Sequence, residues 1–358
     1  MVEHDVAGRS GRAGCERQRT FERQRPTCTR CADHDTCARD ARRAPLAGGA
    51  LSLSGPILGL LSALSWGAGD FGGGLLSRFS SVFLAIVTSE TVGLIGAFAI
   101  VVAAGERAPS TDSIYWSVLA GAGGVIGLGA FYYSLSRGTM GVVAPLAALI
   151  GAGLPVAVGV VSGETIDAVR GLGMAAALAA VVLISLPTTG RTTDERRLLR
   201  LDLGQLPFVV VAGLGFGLFF VFLDRATTNG ETWWPLVIVR LVGLILTVAV
   251  IAVAVERTRE RSWRRRVDIV LGLPRLRARA APVALFGLLF LVTGAGDLGG
   301  NAFFVLAARA DALSVAVVLA SLYPVVTVLL AALFLRERLR AVQILGVVLA
   351  TLSVPLLR

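Results

Sequence analysis

Ten predominantly apolar stretches, each close to twenty residues long, follow one another between residues 56 and 357. A helix of that length spans the roughly 30 Å hydrocarbon core of a bilayer, and no ordinary soluble domain needs so many. The stretches lie near 56–77, 82–104, 114–135, 140–161, 168–187, 205–223, 233–255, 282–308, 312–335 and 341–357. Charged or turn residues interrupt them, among them Arg78, Glu106, Arg137, Glu164, Arg191, Asp224, Glu256, Arg309 and Arg336. Only 16% of the 358 residues are charged, well below the ~25% of a soluble domain. The expected fold class is therefore an all-α membrane protein with ten transmembrane helices. Every basic residue behind the net charge of +10 is arginine. These arginines lie in the N-terminal segment and between apolar stretches, where membrane loops concentrate them, so the charge does not argue for nucleic-acid binding.

Residues 1–50 differ from everything after them. They are Arg-rich, lack apolar periodicity and carry all four cysteines (Cys15, Cys28, Cys31, Cys37) and both histidines (His4, His34). Such a segment cannot bury a core and is expected to be disordered, or to reflect a start placed upstream of the native one. Cys28, Cys31, His34 and Cys37 have ligand-like spacing for zinc or an iron-sulfur cluster but lack a second distant ligand pair, so no metal or cofactor is expected. The charged stretch is too long for a signal peptide, and the apolar run after it continues as a full span. Without Cys or His beyond residue 50, the spans hold no thiol nucleophile, disulfide or His-based metal site. There is no phosphate-binding Gly-Lys loop either, and an enzyme is not expected.

The last five spans echo the first five. A shift of 150 places Val92-Gly93-Leu94-Ile95 on Val242-Gly243-Leu244-Ile245, and Glu106 on Glu256. A shift of 173 places Gly121 and Gly123 on Gly294 and Gly296, Gly127 on Gly300, Phe131 on Phe304, Glu164 on Glu337 and Gly173 on Gly346. An Arg-rich loop at 257–280 accounts for the change of offset. An odd number of spans per copy inverts the second copy in the membrane, the plan of many secondary transporters. The expected domains are repeats at 55–187 and 205–358, joined by a linker at 188–204. Trp66-Gly67 in the first span, the aromatic end of the third (Phe131 to Arg137), and Ser321-Leu322-Tyr323-Pro324 with Leu333 to Arg338 around the ninth resemble EamA-type transporters of the drug/metabolite transporter superfamily. The first repeat departs further from that pattern, with Gly151 in place of Pro324. The resemblance implies a multi-pass protein of the plasma membrane that moves a small metabolite, such as an amino acid, by alternating access. A drug or quaternary-cation exporter of the same superfamily is the alternative; a lipid-handling protein or membrane enzyme fits less well.

Charged residues within spans are costly, about 2.5–3.5 kcal/mol on insertion scales, and usually face a cavity or a partner. Four lie deep: Asp70, Glu90, Arg240 and Asp297. Counting residues from the helix starts puts Asp70 and Glu90 in one half of the membrane and Arg240 and Asp297 in the other. This reading pairs Arg240 with Asp297, as a structural clamp or a substrate contact, and leaves Asp70 and Glu90 as like charges without a countercharge. Two such carboxylates cannot both stay ionised cheaply, which makes one of them a candidate proton carrier. Asp70 within Gly69-Asp70-Phe71-Gly72-Gly73-Gly74 could instead hydrogen-bond loosened backbone, and Glu90 could snorkel. Trp66, Tyr132, Tyr133, Asn301 and Tyr323 offer apolar faces with polar handles near mid-span and complete the candidate pathway. Pro145, Pro155 and Pro324 are expected inside helices, where a cavity or neighbour satisfies the freed carbonyls.

The expected partners are a small solute, protons and the lipid bilayer. Orientation is contested: the resemblance puts both termini in the cytoplasm, whereas loops after odd-numbered spans hold eighteen arginines against five in the others, which places those odd loops in the cytoplasm. Residues 1–50 contain no span and nothing the repeat needs. Deleting them is expected to leave membrane insertion and transport intact, checked by solute flux in proteoliposomes; lost flux from a properly inserted deletion variant would show that the segment is required.

Overall fold

Regular structure in the computed structural model, which describes residues 54–137, 140–186, 206–273, 283–336 and 339–357, is helical throughout. In chain order the helices are α1 (Gly55–Phe79), α2 (Val82–Ala104), α3 (Thr111–Arg137), α4 (Met140–Val161), α5 (Ala168–Ser185), α6 (Leu206–Ala226), α7 (Trp234–Arg257), α8 (Trp263–Leu271), α9 (Val283–Ala310), α10 (Leu313–Ala320), α11 (Tyr323–Phe334) and α12 (Ala341–Leu356). Local chemistry sets many of their ends. Ser81 accepts a hydrogen bond from Leu84 N at 3.3 Å, and Asp167 accepts one from Arg170 N at 2.8 Å, each satisfying an amide left open in a first turn. Gly105 closes α2 in the left-handed region at φ 60°, where a side chain would be strained. Proline occupies the first turn of α1, α7 and α11, where its missing N–H costs nothing.

Among the described residues, seven segments are long and apolar enough to cross a membrane: Val82–Ala104, Thr111–Phe131, Ala168–Ser185, Leu206–Ala226, Trp234–Arg257, Ala284–Ala310 and Leu313–Phe334. Leu146–Val161 and Ala341–Leu356 are shorter apolar stretches, and α1 is diluted by its glycines, serines and Asp70. The ninth apolar stretch is broken. Helix α10 stops at Ala320, and α11 restarts at Tyr323 with Pro324 in its first turn. Pro324 therefore begins a helix, a correction to its expected place inside one: proline fits a first turn without breaking any bond. Cys28, Cys31, His34, Cys37 and Glu337 lie outside the described residues.

The burial pattern is inverted relative to a water-soluble protein. Large apolar side chains face outward, including Ile95, Phe98, Val102, Leu172, Ile245 and Leu288, whereas Ser62, Ser89, Ser117, Arg240, Thr293, Asn301 and Gln343 are buried. In lipid the outward surface needs no polar cover, and helix association relies on small residues and internal hydrogen bonds. Glycines bring two helix pairs together. A Cβ on Gly296 of α9 would lie 2.6 Å from Gly69 N and 2.7 Å from Ser65 O of α1; one on Gly215 of α6 would lie 2.6 Å from Gly127 Cα of α3. Helix α12 lies along α5, where Gly346 leaves a Cβ only 3.1 Å from Ala180 O.

One end of the bundle is cross-linked by polar groups. The Glu106 carboxylate, after α2, accepts the amides of Thr232, Trp233 and Trp234 at 2.5, 2.9 and 3.0 Å, at the start of α7. Glu164 accepts Leu313 N at 2.8 Å and Ser314 N at 3.3 Å at the start of α10. A carboxylate at a helix start meets unsatisfied amides and the positive end of the helix dipole. Glu231 accepts Ser110 N at 2.6 Å, Arg309 donates to Thr232 Oγ1, and Arg170 lies 4.0 Å from Asp311. At the opposite end, Gln343 Nε2 reaches Ile184 O at 3.4 Å, and Ser81 N donates to Leu271 O at 3.3 Å.

Because the Gly296 contact is against backbone, a branched side chain there cannot be relieved by a rotamer change. Gly296→Val is expected to destabilise the bundle by at least about 1–3 kcal/mol, read as a lower midpoint of thermal unfolding in detergent. Gly287→Ala, where no atom lies within 4 Å, should be near neutral.

Candidate functional site

A guanidinium buried two turns into α7 organises the interior. Arg240 is 4% exposed. Its Nη1 donates to Asp297 Oδ2 of α9 at 2.5 Å and lies 3.4 Å from Glu90 Oε2 of α2. Room for these side chains comes from glycines one turn along each helix. A Cβ on Gly93 would sit 3.1 Å from Arg240 Cδ and Nε, and one on Gly243 would sit 2.7 Å from Glu90 Oε1. The Asp297 carboxylate also accepts Ser89 Oγ at 2.6 Å and Asn301 Nδ2 at 3.4 Å, and the Trp66 indole lies close to it. Asn301 is further fixed by donating to Asp297 O at 2.9 Å. Two buried polar atoms beside this network, Arg240 Nη2 and Asn301 Oδ1, have no partner among the described residues. Buried groups of that kind are ordinarily satisfied by water or a ligand.

Asp70 completes the set of intramembrane charges. It lies one turn beyond Trp66 on the same face of α1, and Gly74, a further turn on, has nothing within 4 Å. Although deep in the chain's first apolar stretch, Asp70 is exposed, and it has no cationic partner among the described residues. Its neighbour Gly69 is pressed against α9, where a Cβ would stand 3.0 Å from Asp297 N. Two carboxylates therefore meet one guanidinium, with Asp70 as a third acid on the neighbouring helix α1.

An aromatic cluster adjoins the carboxylates. Trp66 meets Phe220 edge-on at 5.7 Å, Phe304 stacked at 6.2 Å and Tyr323 edge-on at 6.3 Å between ring centroids. Phe220 and Phe304 are 4.9 Å apart. Gly300 provides the space that the Trp66 ring fills. Helices α1, α6, α9 and α11 thus converge on rings that end at Asp297.

The structure joins Trp66, Glu90, Arg240, Asp297, Asn301 and Tyr323, and it places Asp70 at the edge of the group. Tyr133 does not join it: its ring packs on Phe208 of α6 at 4.5 Å and is exposed. The Tyr132 side chain lies outside the described residues. The assignment of Glu90 and Arg240 to opposite halves of the membrane is corrected by their 3.4 Å separation. Each stands about eight residues into its helix from opposite faces, ~12 Å deep at 1.5 Å per residue. In a core of ~30 Å that leaves both near the midplane, within reach of each other's long side chains, so Glu90 does have a countercharge. Ser89, Phe220, Phe304, Gly93 and Gly243 escaped the residue-by-residue reading. The shift of 150 that aligns Gly93 with Gly243 also aligns Glu90 with Arg240, and following it through would have found the pair. A further cleft of about 480 Å³ between α3 and α7 is lined by Val125, Ile126, Leu246 and Val250 and has no polar group to orient a solute.

Residues 205–358 match the model of the EamA-like transporter family. No curated protein matches the chain by sequence. A solved structure described as "Crystal structure of protein" superposes with a TM-score of 0.59, covering 84% of this chain and 95% of its own at 16% identity. At that identity the likeness extends to the fold alone. Among the described residues, seven long apolar helices, small residues at the helix contacts and a buried charge cluster where helices converge make this a multi-pass membrane protein, similar over residues 205–358 to the EamA-like transporter family.

Proposed function

We propose that this chain is a secondary transporter moving a small polar metabolite across the plasma membrane by alternating access of two inverted five-helix repeats, 55–187 and 205–358. The observation that carries this reading is the buried junction of Glu90, Arg240 and Asp297, which ties the two halves at mid-membrane beside the exposed Asp70. Inversion is supported by the equivalence of contacts. Gly296 lies against Ser65 and Gly69, and Gly123 lies against Gly215 and Phe219; shifts of 150 and 173 convert one set into the other. Glu90 and Arg240 are likewise 150 residues apart, so they occupy corresponding positions and meet near the axis that would relate the halves.

The conformation reads as closed at the end where Glu106, Glu164, Glu231 and Arg170 bind across the halves, with Asp70 reached from the other end. Asp70 is the proposed proton carrier, because Glu90 and Asp297 are held by Arg240 and Asp70 has no such partner among the described residues. A metabolite bearing both a hydrogen-bond acceptor and a donor would complement Arg240 Nη2 and Asn301 Oδ1. The surplus of carboxylates beside Trp66 and Tyr323 favours a second reading, export of an organic cation, since a cation is attracted both to the charge and to aromatic faces.

Counterflow into proteoliposomes, run with panels of amino acids and quaternary cations, tests transport and separates the two readings; absence of saturable counterflow with any solute that stabilises the protein would defeat both. Asp70→Asn is expected to abolish uptake driven by a pH gradient, because an amide cannot release a proton, and to spare counterflow at equal pH. Full pH-driven uptake by that variant would remove Asp70 from the coupling role. Arg240→Gln alone should cost about 3–5 kcal/mol by leaving buried carboxylates uncompensated. Combining it with Asp297→Asn should recover part of that loss, and additive losses in the thermal-unfolding cycle would show that the two groups are not coupled.

A further inference from the structure

Helix α8 interrupts the transport architecture without contributing to the site, and it has no counterpart in the first half. It begins six residues after α7 ends and leans on α7 and α2. Its far end is fixed: Gly272 closes it at φ 69°, with the Ser80–Ser81 backbone so near that a Cβ would meet Ser81 N at 2.6 Å, and Ser81 N donates to Leu271 O. The helix is thereby held against the short turn between α1 and α2, at the level where apolar spans give way to water. Between Arg257 and Arg266 stand six arginines, Arg257, Arg259, Arg261, Arg264, Arg265 and Arg266. Their acidic neighbours are Glu256, Glu260 and Asp268, and Glu260 is turned back to accept Arg261 N at 2.8 Å. No ion pair engages these arginines among the described residues, and Arg266 Nε is buried without a partner. Trp263 is 65% exposed at the helix start, and Ile269 is exposed as well.

A solvated charge run would account for the arginines alone. It does not account for an indole left open beside them, a buried guanidinium nitrogen without an acceptor, and a helix clamped at the membrane boundary. We infer that α8 is an interfacial lipid-binding helix, on which Arg264, Arg265 and Arg266 bind the phosphates of anionic phospholipids while Trp263 sits at headgroup depth. Indole rings favour that depth, and guanidinium groups pair with phosphate through two parallel hydrogen bonds. Basic clusters next to a transmembrane helix attract anionic leaflets over a Debye length.

The test uses the full chain in neutral detergent micelles with phosphatidylglycerol or phosphatidylcholine at equal mole fraction, and with soluble glycerol phosphate. Phosphatidylglycerol is expected to raise the midpoint of thermal unfolding by at least about 3 °C, less at high salt, while phosphatidylcholine and glycerol phosphate leave it unchanged. Replacing Arg264, Arg265 and Arg266 together by Gln should remove at least half of the shift, and replacing them by Lys should keep most of it. No shift with phosphatidylglycerol, an equal shift in the Gln variant, or an equal shift with glycerol phosphate would overturn the inference. Should the Gln variant not purify, loss of the shift in the Lys variant overturns it and retention supports it.

Discussion

A guanidinium placed at the centre of a bilayer dictates much of what surrounds it. Arginine does not give up its proton, so Arg240 must be met by carboxylates rather than neutralised. Asp297 and Glu90 meet it, and their own hydrogen-bonding capacity draws in Ser89 and Asn301. Each demand is local, yet together they fix α2, α7 and α9 about a single point. The glycines follow from the same demand: Gly93 and Gly243 are bare because the side chain of the facing helix occupies the volume a Cβ would take. A bulkier residue at either position would have to displace a charge that has nowhere else to go.

The same geometry sets two of the carboxylates apart from the third. Those in contact with Arg240 are held by direct ionic contact, so protonating either would forfeit a bond whose loss is expensive in low dielectric. Asp70 forms no such contact among the described residues and is exposed, so the proposed exchange of a proton or cationic group there would leave the junction intact. Gly69 presses α1 against α9 at Asp297, so a change of charge at Asp70 would be felt at the Arg240 junction.

Much of this was legible in the sequence, and the parts that were not have physical causes. Helix limits followed from runs of apolar residues ended by charge: α2 and α4 were expected at 82–104 and 140–161, the limits they have. The meeting of Arg240 with Asp297 was legible because both are unaffordable alone in lipid. Glu90 was misplaced because residue counting gives the depth of a Cα, whereas arginine and glutamate extend several ångströms beyond theirs. Tyr133 was grouped with the site because its position along the span is central. Position along a helix does not reveal which face a residue occupies in a helix whose apolar residues surround it, and Tyr133 turns to Phe208 instead. Nor could the break before Pro324 be read from the sequence, since a proline inside an apolar run is compatible with either a kinked helix or a fresh start.

Two kinds of contact hold these elements together. Glycine-on-backbone packing between α1 and α9, and between α3 and α6, is dense and tolerates no added atom; both pairs cross the division between the halves of the chain. Among the described residues, the carboxylates of Glu106 and Glu164 bind helix-start amides, groups that water satisfies equally well once exposed. Separating that end therefore exchanges one set of hydrogen bonds for another at small net cost, whereas separating the glycine faces would leave voids. The proposed alternating access would accordingly open the ends of the bundle about the junction at Arg240.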